Sequence, residues 1–274
     1  MSNPEKFDFK NTQSSVHQIY EELLVPRMFT PLANLLLDHA GVKEGHTVLD
    51  IACGPGTVAN VAAQRIGSQG RVMGLDISPG MLEVAKSKTQ STGSAKIEYV
   101  ESPAYPLQVA DNGFDVTVCQ QGLQFFPERV EALKEMGRVT KQGGRIAVAV
   151  WGPIEECELF FHLYSAMTET IPSEIAEMLK APFFLHNTEE IHNLAQEAGM
   201  ENAKVETVTF PLVFEQGMDQ ARRVLEAAPF FPQIKELSQP DQDALDQNIS
   251  DRLGAFLKGD EIHVQMVSHI LLNR

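Results

Sequence analysis

The residues best suited to chemistry lie close together in VLDIACGPGTVA, Val48 to Ala59. An acid, Asp50, comes just before a Gly54-Pro55-Gly56 bend, and small and apolar residues then continue at helical spacing. Glycine lets the backbone turn sharply and lets a ligand come close where a Cβ would collide. The first amides of a helix have no partner within it and carry partial positive charge, so they can hold a carboxylate or a phosphate. Asp50 would set an acceptor beside that bend, and a second acid, Asp76, ends the next apolar run. Strand, glycine bend, helix and a second acidic strand end together describe a nucleotide-type cofactor site.

Gly54, Gly56 and Ala59 also satisfy the G-x-G-x-x-G/A spacing of dinucleotide folds, with Asp76 where a ribose-binding acid would fall. A dinucleotide-dependent oxidoreductase is therefore one reading. Against it, Asp50 would lie near a pyrophosphate and repel it. The chain also runs on through a fifth strand into an expected antiparallel hairpin, which the dinucleotide fold does not need.

As a set, four segments resemble the motifs of class I S-adenosylmethionine (SAM)-dependent methyltransferases, in particular the quinone-biosynthesis and small-molecule branch. VLDIACGPG is similar to the first motif, GLDISPGML (Gly74 to Leu82) to the second and VESPAYPL (Val100 to Leu107) to the third. The run from Cys119 to Trp151 resembles the fourth onward, so the likeness spans about residues 40 to 151. It implies SAM as cofactor, with Asp50, Ala52, Gly54 and Gly56 around its methionine part and Asp76 accepting from the ribose hydroxyls. By the same likeness Ile77 and Met81 flank the adenine, and Glu101 or Ser102 meets its amine. The family's usual acid in that last place sits in a G-D-A-E type run, whereas this chain has Glu101-Ser102-Pro103-Ala104. Gln120 and Gln121, ending the fourth strand, would face the space between cofactor and acceptor. Tyr20 and Arg27 belong to an N-terminal segment that closes over the cofactor in similar enzymes. His162 and Tyr164 are the acid/base candidates, with Gln121 as a third catalytic candidate; Gln121 can also be read as a polar strand end bonded to backbone. The histidines show no metal-ligand spacing, and no metal is expected.

These residues need a frame. In an open parallel sheet, ligands lie at the carboxyl ends of the strands. Five short apolar runs supply such strands: His46 to Ile51, Arg71 to Leu75, Lys96 to Val100, Phe114 to Cys119 and Arg145 to Val150. Helices are predicted over Ser14 to Leu24, over Pro31 to Ala40 with Thr30 as cap, from Ser78-Pro79 to Lys88, and from Pro127 to Val139 before a Gly143-Gly144 turn. After Trp151 come helices at Glu155 to Thr170 and Ser173 to Lys180, then one capped by Asn187 and Glu190. A sixth strand, Lys204 to Phe214, is followed by helices from Gly217 to Gly259 interrupted at Pro229, Pro232 and Pro240, and by a last strand, Ile262 to Leu271. The expected fold is α/β: a doubly wound, mostly parallel seven-stranded sheet with an antiparallel last strand, plus helical cap insertions. The domain reading is an N-terminal helical cover at 1–40, a SAM-binding core at 41–152, cap insertions at 153–186 and 216–260, core again at 187–215, and a final strand at 261–274.

Composition narrows the partners. The 22 basic and 37 acidic residues give a net charge of −15, which disfavours nucleic acid and anionic membrane surfaces. No apolar run approaches the roughly 18 residues of a membrane span, and MSNPEKFDFK is too polar for a signal peptide. Residues 1 to 12 read as loosely attached. Three cysteines without motif spacing fit a reducing, cytoplasmic setting. A homodimer is left open.

Nine of the 15 phenylalanines follow Trp151, including the pairs Phe160-Phe161, Phe183-Phe184 and Phe230-Phe231. Such pairs suit a lid over a small, partly apolar acceptor, methylated on oxygen or carbon by in-line displacement. Holding the nucleophile in line could supply about 7–11 kcal/mol of the barrier, so no metal or base is required. An N-methyltransferase of a small amine and a non-catalytic SAM-binding module are the remaining alternatives.

Overall fold

The computed structural model describes residues 19–274. The expectations for residues 1 to 12, and for the start of the helix from Ser14, lie outside the described residues.

Contacts divide the chain into two compact units. The first comprises 29–151, 185–208 and 268–274. It opens with α1 (Thr30–His39) and alternates strands and helices: β1 (Thr47–Ile51), α2 (Thr57–Ile66), β2 (Arg71–Asp76), α3 (Pro79–Ser87), β3 (Lys96–Glu101), β4 (Phe114–Gln120), α4 (Arg129–Val139) and β5 (Thr140–Trp151). Between β4 and α4 lies a 3-10 turn, Leu123–Phe125. The sheet order is β3-β2-β1-β4-β5-β8-β6, where β6 is Lys204–Phe214 and β8 is Glu261–Asn273. A two-residue β7 (Leu257–Lys258) pairs with β8 and brings the strand count to eight rather than seven. β1, β2, β4 and β5 run parallel, and β8 is antiparallel to β5 from Ile146↔Asn273 to Trp151↔Ser268.

The burial patterns explain this order. β1 and β4 are buried almost throughout, as central strands covered on both faces must be. β3, at one edge, alternates buried and exposed positions over its first half, and β6, at the other edge, alternates over its last five residues. The core of this unit runs through Leu49, Ile51, Leu75, Leu123, Leu133, Met136 and Val148 and continues to Ile191 and Leu271. At the amino ends of the strands, the Asp115 carboxylate accepts from the Thr47 amide (2.8 Å), the Thr47 hydroxyl (2.6 Å) and the Lys141 ammonium (2.7 Å). These bonds outweigh its burial, lower Asp115 to about 2, and lock β1, β4 and β5 in register.

Three local expectations are corrected. Gly143-Gly144 does not end a helix-strand loop; it lies inside β5, where the register jumps from Phe114↔Thr140 to Val116↔Arg145. Gly143 has φ +77°, and a Cβ on Gly144 would come within 2.8 Å of the Asp115 carbonyl, so the pair forms a bulge. Thr30 does not cap α1. A π-helical stretch, Tyr20–Phe29, runs into α1 without a break, and the Thr30 carbonyl accepts from Asn34 Nδ2 at 3.0 Å. Pro232 and Pro240 do not interrupt helices but open them, since a missing N–H costs nothing in a first turn.

The second unit takes in the described residues up to Met28, with 152–184 and 209–267. Its helices are α5 (Glu158–Thr170), α6 (Ser173–Ala176), α8 (Gly217–Arg222), α9 (Phe231–Lys235) and α10 (Gln239–Leu253); α7 (Thr188–Glu197) belongs to the first unit. Asn187 caps α7 by accepting from the amides of Glu189 and Glu190. The Glu190 carboxylate faces Arg129 at 3.7 Å instead of completing a capping box. α10 packs on α5, with Arg252 and Asn248 bound to Glu169. The phenylalanine pairs split by burial. Phe160, Phe183 and Phe230 are core residues of this unit, with the Phe160 and Phe183 rings 5.2 Å apart, while Phe161 and Phe231 are half-buried and Phe184 is exposed.

Candidate functional site

β1 ends on Asp50 and Ile51, and the chain then reverses in three left-handed positions, Ala52 (φ +55°), Gly54 (φ +53°) and Gly56 (φ +81°). A Cβ on Gly54 would meet nothing within 4 Å, so space lies open beside the bend. A Cβ on Gly56 would collide with the Tyr99 hydroxyl, which also accepts from Asn60 Nδ2 at 3.2 Å. Gly56 is thus demanded twice, by its φ and by its neighbour. Gly56→Ala is expected to cost about 1–2 kcal/mol from the backbone alone, read as a lowered midpoint of urea unfolding; an unchanged midpoint would refute it.

Asp50 is 1% exposed, and neither carboxylate oxygen has a hydrogen-bond partner. Burial pushes its carboxyl up to about 8; the Ala59 amide counters this without bonding it, and the Asp76 charge adds to the rise. A buried carboxylate left bare is incomplete: it must stay protonated or receive a cation.

Asp76, also buried, accepts a hydrogen bond on each oxygen and keeps a lone pair free on both. One oxygen accepts from the Gly54 amide at 2.7 Å and the other from the Ser78 amide at 2.8 Å. Burial raises its carboxyl, opposed by those amides and that of Ile77. Asp76 therefore ties the glycine bend to the end of β2. The helix-capping task falls to Ser78, whose hydroxyl accepts from the Met81 amide. Ile77 is 48% exposed beside this cluster, an unusual place for an isoleucine, and Met81 is half-buried. On β3 the exposed Glu101 is paired in register with Asp76. Ser102 is buried; its amide donates to the Asp76 carbonyl and its hydroxyl to the Pro103 carbonyl.

At the end of β4, Gln120 Nε2 donates to the Phe29 carbonyl at 3.1 Å while its Oε1 is buried and unpartnered. Gln121 is left-handed (φ +57°), held by its amide's bond to the Ala149 carbonyl. Its loop abuts the glycine bend, since a Cβ on Gly122 would stand 2.7 Å from that of Ala52. Sequence reasoning passed over Gln124, 2% exposed, whose Nε2 donates to Gln121 Oε1 at 2.9 Å. The available signal was a glutamine set within the otherwise apolar Gly122-Leu123-Gln124-Phe125-Phe126 run.

Asp50, Ala52, Gly54, Gly56, Asp76, Ile77, Met81, Glu101, Ser102, Gln120 and Gln121 all fall in the sheet unit, at or just beyond strand ends. Tyr20, His162 and Tyr164 belong to the helical unit. The Tyr164 hydroxyl donates to Glu177, and Lys180 lies 5.0 Å over its ring; the Glu177 bond, then burial, raise its pKa. His162 packs against Phe161 and Phe256, and burial first, then the Arg252 charge, lower its pKa and favour the neutral ring. Arg27 pairs with Glu215 at 2.7 Å. Cys53, Cys119 and Cys157 are buried free thiols; burial pushes Cys119 and Cys157 up to about 12, which makes them poor nucleophiles. Among the described residues no cluster of ligating side chains could hold a metal ion.

A doubly wound parallel sheet, a left-handed glycine bend after β1, an acid ending β2 and an antiparallel strand beside β5 define the class I methyltransferase fold. The chain belongs to the ubiE/COQ5 methyltransferase family, whose pattern matches residues 32–217. It is a methyltransferase, and SAM is its methyl donor. Membership sets aside the dinucleotide oxidoreductase and the non-catalytic module. The chain is 28% identical over 225 residues to the demethylmenaquinone methyltransferase of Staphylococcus aureus, covering 74% of this chain and 91% of that one. Among solved structures it is similar to Haemonchus contortus phosphoethanolamine N-methyltransferase 2 in complex with SAM, with TM-score 0.61 and 20% identity, covering 100% of this chain and 60% of that one. It is also similar to a SAM-dependent methyltransferase of Aquifex aeolicus, with TM-score 0.51 and 21% identity, covering 71% and 91%. No helix among the described residues is long and apolar enough to cross a membrane.

Proposed function

We propose that this methyltransferase acts on a small, partly apolar ring acceptor of quinol type, at an oxygen or a carbon. The demethylmenaquinone methyltransferase relative, matched along nearly its whole length, supports this acceptor class. The observation that carries the cofactor placement is Asp50, a buried carboxylate bare on both oxygens beside a glycine bend with open space. That chemistry fits an ammonium group, which SAM has. Asp50 would take that group, the leading amides of α2 its carboxylate, and Asp76 the ribose hydroxyls. Ile77 and Met81 would flank the adenine, with Glu101 and Ser102 toward its amine and Gln120 on the acceptor side. Bound there, SAM supplies a methyl group carried on a sulfonium sulfur. The chain's own work is to hold the acceptor in line and exclude water, which needs no base unless the acceptor must lose a proton. Tyr164 is poorly placed for a base role, since its hydroxyl is spent on Glu177.

Two measurements test this. Calorimetric titration is expected to show SAM binding at least about 100-fold tighter than NADH, and equal or reversed affinities would overturn the site. Incubation with methyl-labelled SAM and an anaerobically reduced naphthoquinone is expected to put label on the ring compound. Label appearing only on amines would overturn the acceptor class.

A further inference from the structure

Four polar atoms around the β4 end are buried without a hydrogen-bond partner: Gln120 Oε1, Gln121 Nε2, Gln124 Oε1 and Arg129 Nε. A folded chain rarely leaves such groups dry, since each costs about 1–3 kcal/mol. Gln121 and Gln124 are already joined, Nε2 of Gln124 to Oε1 of Gln121 at 2.9 Å. One donor and one acceptor are left over. Turning both amides over would exchange the two but still leave one of each.

The pair is held stiffly. Gln121 sits in the left-handed region (φ +57°), where a non-glycine residue is strained, pinned by its amide's bond to the Ala149 carbonyl. Arg129 Nη2 donates to the Gln124 carbonyl at 2.9 Å and braces the Leu123–Phe125 turn. The Arg129 charge faces Glu190 at 3.7 Å. Neither amide carries charge, so the pair would poorly balance a carboxylate, a phosphate or an ammonium. A neutral hydroxyl, which donates once and accepts once, satisfies both leftover atoms.

We propose that Gln121 and Gln124 form a donor–acceptor amide pair that binds a neutral hydroxyl of the methyl acceptor and so selects hydroxylated rings. The inference rests on the quinol-type acceptor reading and adds the residues that enforce it. A site built to hydrogen-bond a hydroxyl rejects an analogue that lacks one, because its own buried groups are then stranded.

The test uses the full chain, under anaerobic conditions and with S-adenosylhomocysteine present so that no methyl moves. Naphthalene-1,4-diol and 1,4-dimethoxynaphthalene are titrated against the native protein, Gln124→Met and Gln121→Met. The native protein is expected to prefer the diol by at least about tenfold. Each methionine variant is expected to lose most of that preference while keeping SAM affinity within about twofold, which also reports that it has folded. If Gln124→Met fails to fold, Gln121→Met breaks the same pair from its less buried side. Variants that keep the native preference overturn the inference alone. A native protein that binds SAM but neither ring overturns the acceptor reading, and the inference with it.

Discussion

Asp50→Asn will remove nearly all SAM affinity and at the same time make the ligand-free protein more stable at alkaline pH. Both effects come from one fact, a carboxyl that is 1% exposed with neither oxygen bonded. Its ordinary value of 3.8 is raised to about 8, by burial first. Between those two values the folded, ligand-free protein keeps a proton that the unfolded chain has released. Stability therefore falls as pH rises from about 4 to about 8. The rise from 3.8 to about 8 corresponds at most to roughly 6 kcal/mol at alkaline pH. Asparagine is neutral, but its amide is also buried and unbonded, at about 1–3 kcal/mol. A net gain of about 3–5 kcal/mol at pH 8.5 is the expected result, seen as a melting temperature higher by several degrees. Holding an ammonium requires the ionised acid, so cofactor uptake near neutral pH should release a proton. Calorimetry in buffers of different ionisation enthalpy reads that proton directly, and Asp50→Asn should show none. A variant that binds SAM as the native protein does, or that melts lower at pH 8.5, would show that Asp50 is merely a core residue.

Asp76→Ala carries the second largest expected effect. Its carboxylate joins the Gly54 amide to the end of β2, beside the bond from the Cys53 amide to the Leu75 carbonyl, and it also holds the Ser78 amide. Alanine strands both amides and frees the bend on one side. SAM affinity is expected to fall by about 100-fold or more, equivalent to roughly 2.7 kcal/mol. The fold should persist, because the apolar core through Leu49, Leu75 and Val148 does not depend on this carboxylate. Amide exchange at Gly54 should quicken while exchange in β4 and β5 stays slow, which separates a loosened bend from a general loss of structure. Native SAM affinity in this variant would mean that neither the ribose contact nor the anchoring of the bend matters to binding.

Much of the frame was legible from spacing. The five parallel strands fall within about two residues of their expected starts and ends, except that β5 begins earlier, at Thr140. Ser78 and Asn187 cap the helices they were expected to cap. Such features depend on neighbours a few residues away, which a sequence displays directly. Gly143-Gly144 misled for the same reason: two glycines read locally as a turn, whereas pairing with β4 makes them a bulge in a strand. Tyr20–Phe29 stays helical through Pro26, which local preference would have broken.

What the sequence determined by itself is therefore the short-range part: which segments are strands, where the glycine bend lies, and which acids end β1 and β2. Tertiary structure alone decided that β8 enters the sheet between β5 and β6, that Asp76 grips Gly54 across 22 positions, and that Asp50 is sealed from water with nothing bonded to it. It also decided that Gln124 turns inward to meet Gln121. The reason is physical. Backbone conformation follows from side-chain sterics and periodicity over a few residues, but burial, charge state and the pairing of polar atoms depend on what distant segments bring alongside.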